Sequence, residues 1–120
     1  DVEVAIEPDA LTQVFVNLVL NAADAAQHAG TVRVRVDAEA NDSSVLITIE
    51  DSGPGIADEV AQHIFEPFFT TKPPGKGTGL GLAVCERIVA TVGGDIAVGR
   101  SSELGGARFL LTLPKASARA

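Results

Sequence analysis

Asn17 and Asn21 stand four residues apart inside an otherwise apolar run, with Asp24 three further on. On a helix that spacing stacks side chains on one face, so both amide oxygens can reach a hard cation or its bound waters. Asparagine favours caps and turns, and two within one helix cost stability without structural return; the competing reading is a solvated helix face. Further along, Asp51-Ser52-Gly53-Pro54-Gly55 sets a carboxylate at the end of a strand-like run. Its glycines allow a tight turn, or the close approach of a flat ligand to the backbone. Taken alone, the same residues also read as a plain turn.

Two more segments carry possible chemistry. Gly75-Lys76-Gly77-Thr78-Gly79-Leu80-Gly81 precedes a helical pattern. Free amides at a helix start, with a Lys and a Thr beside them, form a site for anionic oxygens such as those of phosphate. It is not a P-loop, because Lys76 is followed by Gly77 and no strand immediately precedes it. A flexible linker would leave unexplained why the glycines stop where the helix begins. Ile64-Phe65-Glu66-Pro67-Phe68-Phe69-Thr70-Thr71-Lys72 places three of the chain's five phenylalanines in a loop. Such rings need a surface to cover, as a satellite cluster under the loop, as a hinged lid that docks when a ligand arrives, or as both at once.

These groups need elements to hold them. Val2, Val4 and Ile6 alternate with acidic residues as in a half-buried strand, and Pro8-Asp9 ends it. A helix is expected from about Asp9 to Ala29, with Leu11, Val14, Phe15, Leu18, Val19, Ala22 and Ala25 as its apolar face and Gly30 as its stop. Val32 to Asp37 and Val45 to Glu50 read as a hairpin around Asn41-Asp42-Ser43-Ser44. One short helix fits near Asp58 to His63 within a long loop from Asp51 to about Thr78. A second long helix begins near Thr78, with Leu80, Val84 and Ile88 on one face, and ends at Gly93-Gly94. Strands over Asp95 to Gly99 and Ala107 to Leu113 complete the chain. The expected class is α+β: a two-layer sandwich whose mixed, mostly antiparallel sheet is covered on one face by helices.

Composition narrows the function. The 120 residues carry 16 acidic and 9 basic side chains, a formal charge of −7, and lack both Trp and Tyr. That excludes the basic field and most of the stacking rings of a nucleic-acid binder. The lone Cys85 cannot close an internal disulfide, and a cytoplasmic location is expected. No apolar run is long enough to span a bilayer and no signal-peptide order marks the N-terminus, so no membrane contact by this chain is expected.

The four segments, taken in order, resemble the catalytic and ATP-binding domain of sensor histidine kinases. Asn17 to Ala22 is similar to the asparagine box, Asp51 to Gly55 to the first glycine box, Phe65 to Phe69 to the phenylalanine box, and Gly77 to Leu82 to the second glycine box. The phrase Phe65 to Lys72 resembles histidine kinases rather than their gyrase, mismatch-repair and heat-shock relatives. The resemblance implies one catalytic ATP-binding domain over residues 1–120, an ATP lid over about 64–78, and ATP with Mg²⁺ as ligands. It casts Asn17 and Asn21 as the catalytic amides, with Asn21 on the metal and Asn17 in the metal's shell or on phosphate. Asp51 would accept a hydrogen bond from the adenine amino group, with Gly53 and Gly55 shaping the base pocket. Gly77, Gly79 and Gly81 would let the lid fold over the triphosphate while amides near Leu80 contact its oxygens, Lys72 or Lys76 would supply mobile positive charge, and Ile56, Phe65, Thr71 and Thr78 would be further nucleotide-binding residues. Asp24 stands where many members carry a Lys or Arg, and would act through water or the metal shell.

Water-splitting relatives carry a Glu at the position of Asn17, and an amide cannot take a proton. The implied activity is therefore transfer of the γ-phosphoryl group to a histidine on a separate dimerisation domain, absent from this chain, with a response regulator as indirect partner. Neither His28 nor His63 has the sequence context of the phosphoacceptor. The alternatives are a nucleotide-gated binding module and a pseudokinase of the same superfamily.

Overall fold

The computed structural model describes residues 4, 6–27, 33–67, 69 and 81–115. Helix α1 (Pro8–Gln27) opens at a proline, which fits the first helical position because no partner is needed there for the missing N–H. The Leu11 amide then bonds the Glu7 carbonyl at 3.0 Å. β1 (Val34–Ala40) and β2 (Ser44–Asp51) form the expected hairpin. Its turn is held by the Asn41 side-chain oxygen, which accepts from the amides of Ser43 and Ser44 at 3.0 and 2.8 Å. A short helix α2 (Asp58–Ala61) follows, then α3 (Gly81–Thr91), β3 (Asp95–Arg100) and β4 (Ala107–Pro114).

The four strands lie in the order β1-β2-β4-β3, and every pairing among the described residues is antiparallel. Alternation assigns the two faces. Val45, Ile47 and Ile49 of β2 and Phe109, Leu111 and Leu113 of β4 are buried on one side. Against them α1 sets Val14, Leu18 and Ala22, and α3 sets Cys85 and Val89, all in one apolar cluster. The other face is polar at its end: Arg35, Glu50 and Arg108 stand opposite one another in register across β1, β2 and β4. Both arginines pair with the buried Glu50, and Arg35 also reaches Glu103 beyond β3. The Arg35 guanidinium, first by its hydrogen bond and then by its charge, holds the Glu103 carboxyl below the usual carboxylate range.

Three expectations change. Val4 pairs with Lys115 in an isolated antiparallel bridge and Ile6 lies in a bend, so the described part of the opening segment holds no regular strand. On α3 the fully buried stripe is Cys85 and Val89, with Val84 and Ile88 only partly covered, because α3 meets both α1 and the sheet. β1 and β3 run past the expected ends, to Ala40 and Arg100. Residues Val2, His28, Gly30, Val32, Phe68 and Thr70 to Leu80 lie outside the described part, and with them most of the expected lid.

Leu18 is fully buried while Leu20, two positions on, is 62% exposed. Leu18→Ala is therefore predicted to cost about 2–5 kcal/mol of stability, and Leu20→Ala at most about 0.5 kcal/mol, in urea denaturation. Equal losses would remove α1 from its assigned orientation.

Candidate functional site

β2 ends on Asp51, the last inward-facing residue of a strand whose earlier inward positions are Val45, Ile47 and Ile49. Asp51 is only 1% exposed. A buried carboxylate is costly unless its oxygens are bonded, and here the main chain bonds one of them. Asp51 Oδ1 accepts from the Gly53 amide at 2.9 Å and from the Ala107 amide at 3.1 Å. The Gly106 amide donates to the Asp51 carbonyl at 3.0 Å. Among the described residues, the main-chain amides fix Oδ1 and none donates to Oδ2.

The inner face of the sheet at this end is apolar. Phe109 and Ala107 share the inner face with Asp51, and Phe65 meets Phe109 edge to face at 6.3 Å and 84°. Ile56 packs partly buried against the core, and Ile64 is buried within it. Gly55 takes a left-handed φ of +82°, which a side chain would strain, so the first glycine segment turns as only glycine turns easily. Of the aromatic loop, Phe65 and Phe69 both rest against the core, and Phe68 lies outside the described residues.

The amide stripe belongs to a second group. Asn17 is half-buried and faces α3: a Cβ placed on Gly81 would sit 3.7 Å from Asn17 Oδ1. The Cys85 thiol, one turn further along α3, donates to the Val14 carbonyl at 3.8 Å. Burial pushes that thiol up, and Asn17 only partly offsets it. A protonated, buried thiol is a packing group rather than a nucleophile. Asn21 is half-buried on α1, and Asp24 is half-buried and engaged in an interaction of its own.

The fold thus brings Asn17 to Gly81, and Asp51 to Gly53, while Thr71, Lys72, Lys76, Gly77, Thr78, Gly79 and Leu80 fall outside the described residues. Among the described residues no cluster of three or more His, Cys, Asp or Glu could hold a metal by itself. His63 is exposed and pairs with Glu66, as suits a surface histidine. Sequence reasoning missed Gly106 and Ala107, whose only signal was a Gly-Gly pair ahead of a strand. A cleft of about 480 Å³ is lined by Gly55, Ile56, Asp58, Arg100 and Gly106 but not by Asp51 or α1, so it is not the space beside the carboxylate.

Comparison with known proteins gives the family. Residues 6–117 match the model of the histidine kinase-, DNA gyrase B- and HSP90-like ATPase family. The sensor histidine kinase ZraS of Salmonella typhimurium is 48% identical over 108 residues, which are 90% of this chain and 22% of that protein. The chain therefore spans about a fifth of the length of that relative. Among solved structures, the mycobacterial sensor histidine kinase MprB superposes with a TM-score of 0.82 at 28% identity, covering 93% of this chain and 76% of the other. Full-length ShkA in complex with AMPPNP superposes at 0.74 with 34% identity, over 88% of this chain and 21% of its own. With an antiparallel sheet under helices, a buried carboxylate closing β2 and that alignment along nearly its whole length, the chain belongs to the histidine kinase-, DNA gyrase B- and HSP90-like ATPases and is the catalytic ATPase domain type of sensor histidine kinases.

Proposed function

We propose that this domain binds Mg-ATP and presents its γ-phosphoryl group to a histidine on a separate helical domain of the parent protein, for onward passage to a response regulator. The observation that carries the reading is the buried carboxylate of Asp51, which the described main-chain amides hold by Oδ1 alone. A base with an exocyclic amino group would match Oδ2, and Phe109, Phe65 and Ile56 would supply apolar walls for the ring.

The rest follows from residue chemistry. Magnesium binds through one or two protein oxygens together with phosphates and waters, so the absence of a three-carboxylate cluster among the described residues fits it. Asn21 would supply the protein oxygen, with Asn17 and Asp24 beside it on α1. The metal's contribution when bound is to neutralise charge on the phosphates. Gly81 and the glycine segment before it would leave room for the triphosphate, with Lys72, Lys76, Thr71, Thr78, Gly77, Gly79 and Leu80 as its further partners. Those cations matter in a chain of formal charge −7, which otherwise repels an anionic ligand.

Asn17 also bears on the reaction. An amide cannot accept a proton from water, so the domain itself supplies no base at that position for hydrolysis. Bound nucleotide would wait for a nucleophile brought by another domain, and imidazole arrives with its own lone pair. No helix among the described residues is long and apolar enough to cross a membrane, which is consistent with a domain that works in water.

Mixing this chain with a histidine-bearing helical dimerisation domain and radiolabelled ATP should yield phosphate that is acid-labile and base-stable; its absence, with nucleotide binding intact, would favour a purely regulatory role. Asp51→Asn is predicted to weaken ATP binding by at least about tenfold in calorimetry while the circular dichroism stays that of the parent. Unchanged affinity would take Asp51 out of the base pocket. Asn21→Ala should remove most of the magnesium dependence of binding or transfer, and a variant that responds to magnesium as the parent does would refute the ligand assignment.

A further inference from the structure

We infer that the β3–β4 turn, residues 101–106, is a positioning element for base recognition, with Gly106 its contact residue. The inference rests on Asp51 receiving the adenine amino group, and it concerns what decides where that carboxylate stands.

Gly106 lies closer to Asp51 than any side chain would permit. A Cβ built on it would fall 2.1 Å from Asp51 Oδ1, 2.4 Å from the Asp51 carbonyl oxygen and 2.7 Å from the Gly53 nitrogen. None of these is the movable end of a flexible side chain: two are backbone atoms, and the third is the carboxylate oxygen already bonded to two amides. The close approach is what allows the Gly106 amide to reach the Asp51 carbonyl and the next amide, that of Ala107, to reach Oδ1. Two segments far apart in sequence therefore fix one carboxylate, and they decide which of its oxygens the main chain holds.

The turn is built to hold that position. Ser101 is buried, and its hydroxyl accepts from the Leu104 amide at 3.0 Å. Its amide donates to the Gly106 carbonyl at 2.8 Å and its carbonyl accepts from Gly105 at 2.9 Å, so the turn is closed on itself. From outside, Glu103 of the same turn is tied to Arg35 on β1, which also pairs with Glu50, the residue before Asp51. The exposed Arg35–Glu103 pair is a weak tie by itself, worth little in screened solvent. The backbone contact at Gly106 carries the main effect.

A carboxylate oxygen placed for an amino donor faces an acceptor when the ligand carries a carbonyl there instead. Discrimination between ATP and inosine triphosphate, which has oxygen in place of that amino group, thus reads the carboxylate's placement, whereas a general loss of stability lowers both affinities together. The parent chain should prefer ATP by about tenfold or more. Gly106→Ala, which displaces Asp51, should lose most of that preference through weaker ATP binding, with the affinity for inosine triphosphate within about twofold of the parent. Should Gly106→Ala not fold, Ser101→Ala, which removes the hydroxyl that closes the turn, should lower the ATP preference about threefold or more. A folded Gly106→Ala that keeps the parent preference, or a Ser101→Ala that keeps it where Gly106→Ala cannot be made, overturns the inference and leaves ATP binding standing. A parent chain that binds neither nucleotide overturns the functional reading beneath it as well.

Discussion

A carboxylate removed from water must be compensated by fixed donors, and in this domain the donors are main-chain amides from both sides of Asp51. Gly53 comes from the residues just after β2, and Ala107 from the start of β4, 56 residues away from the aspartate. Everything around this contact is arranged to make it possible. β2 and β4 are adjacent in the sheet, so the end of one strand meets the beginning of the other. Gly106 removes the side chain that would keep them apart. On the reverse face, Glu50 is held between Arg35 and Arg108 from the two flanking strands. The same sheet end thus carries a bonded carboxylate on each side, one facing the helices and one facing solvent-exposed arginines.

The two helices solve a different problem. α1 gives one stripe to the core through Val14, Leu18 and Ala22, and its amides lie on the flank that turns towards α3. The approach of Asn17 to Gly81 depends on α3 having no side chain at that point, and Cys85, one turn along, presents a small thiol rather than a bulky residue. An amide at position 17 therefore has two consequences. It packs against α3 where Gly81 leaves room for it, and in the proposed function it offers no proton acceptor for hydrolysis. Packing and reaction type meet in one residue.

Most of the architecture was legible in the order of residues. Alternation placed β2 and β4, the three-and-four spacing placed α1, and Asn41 marked the hairpin turn, because each of these signals depends only on neighbours in sequence. The site was partly legible for the same reason. Asn17, Asn21 and the Asp51 to Gly55 segment are local patterns, and a carboxamide or a carboxylate in an unfavourable local setting announces a use. Where the signal was shortest less of it carried over: Val2, Val4 and Ile6 alternate as a strand does, and of the described pair Val4 makes a lone bridge with Lys115 while Ile6 lies in a bend.

The residue types alone determined that the chain would build a half-apolar sheet under amphipathic helices, with amides on one helix and an aspartate closing a strand. Only the folded chain decided which of the two carboxylate oxygens the main-chain amides hold, because that depends on an amide 56 positions away and on the missing side chain at Gly106. It likewise decided that Glu50, charged and unremarkable in sequence, would be buried between two arginines. Contacts of this kind arise from strand order and register, which are set by the packing of the whole core and not by any stretch of neighbouring residues.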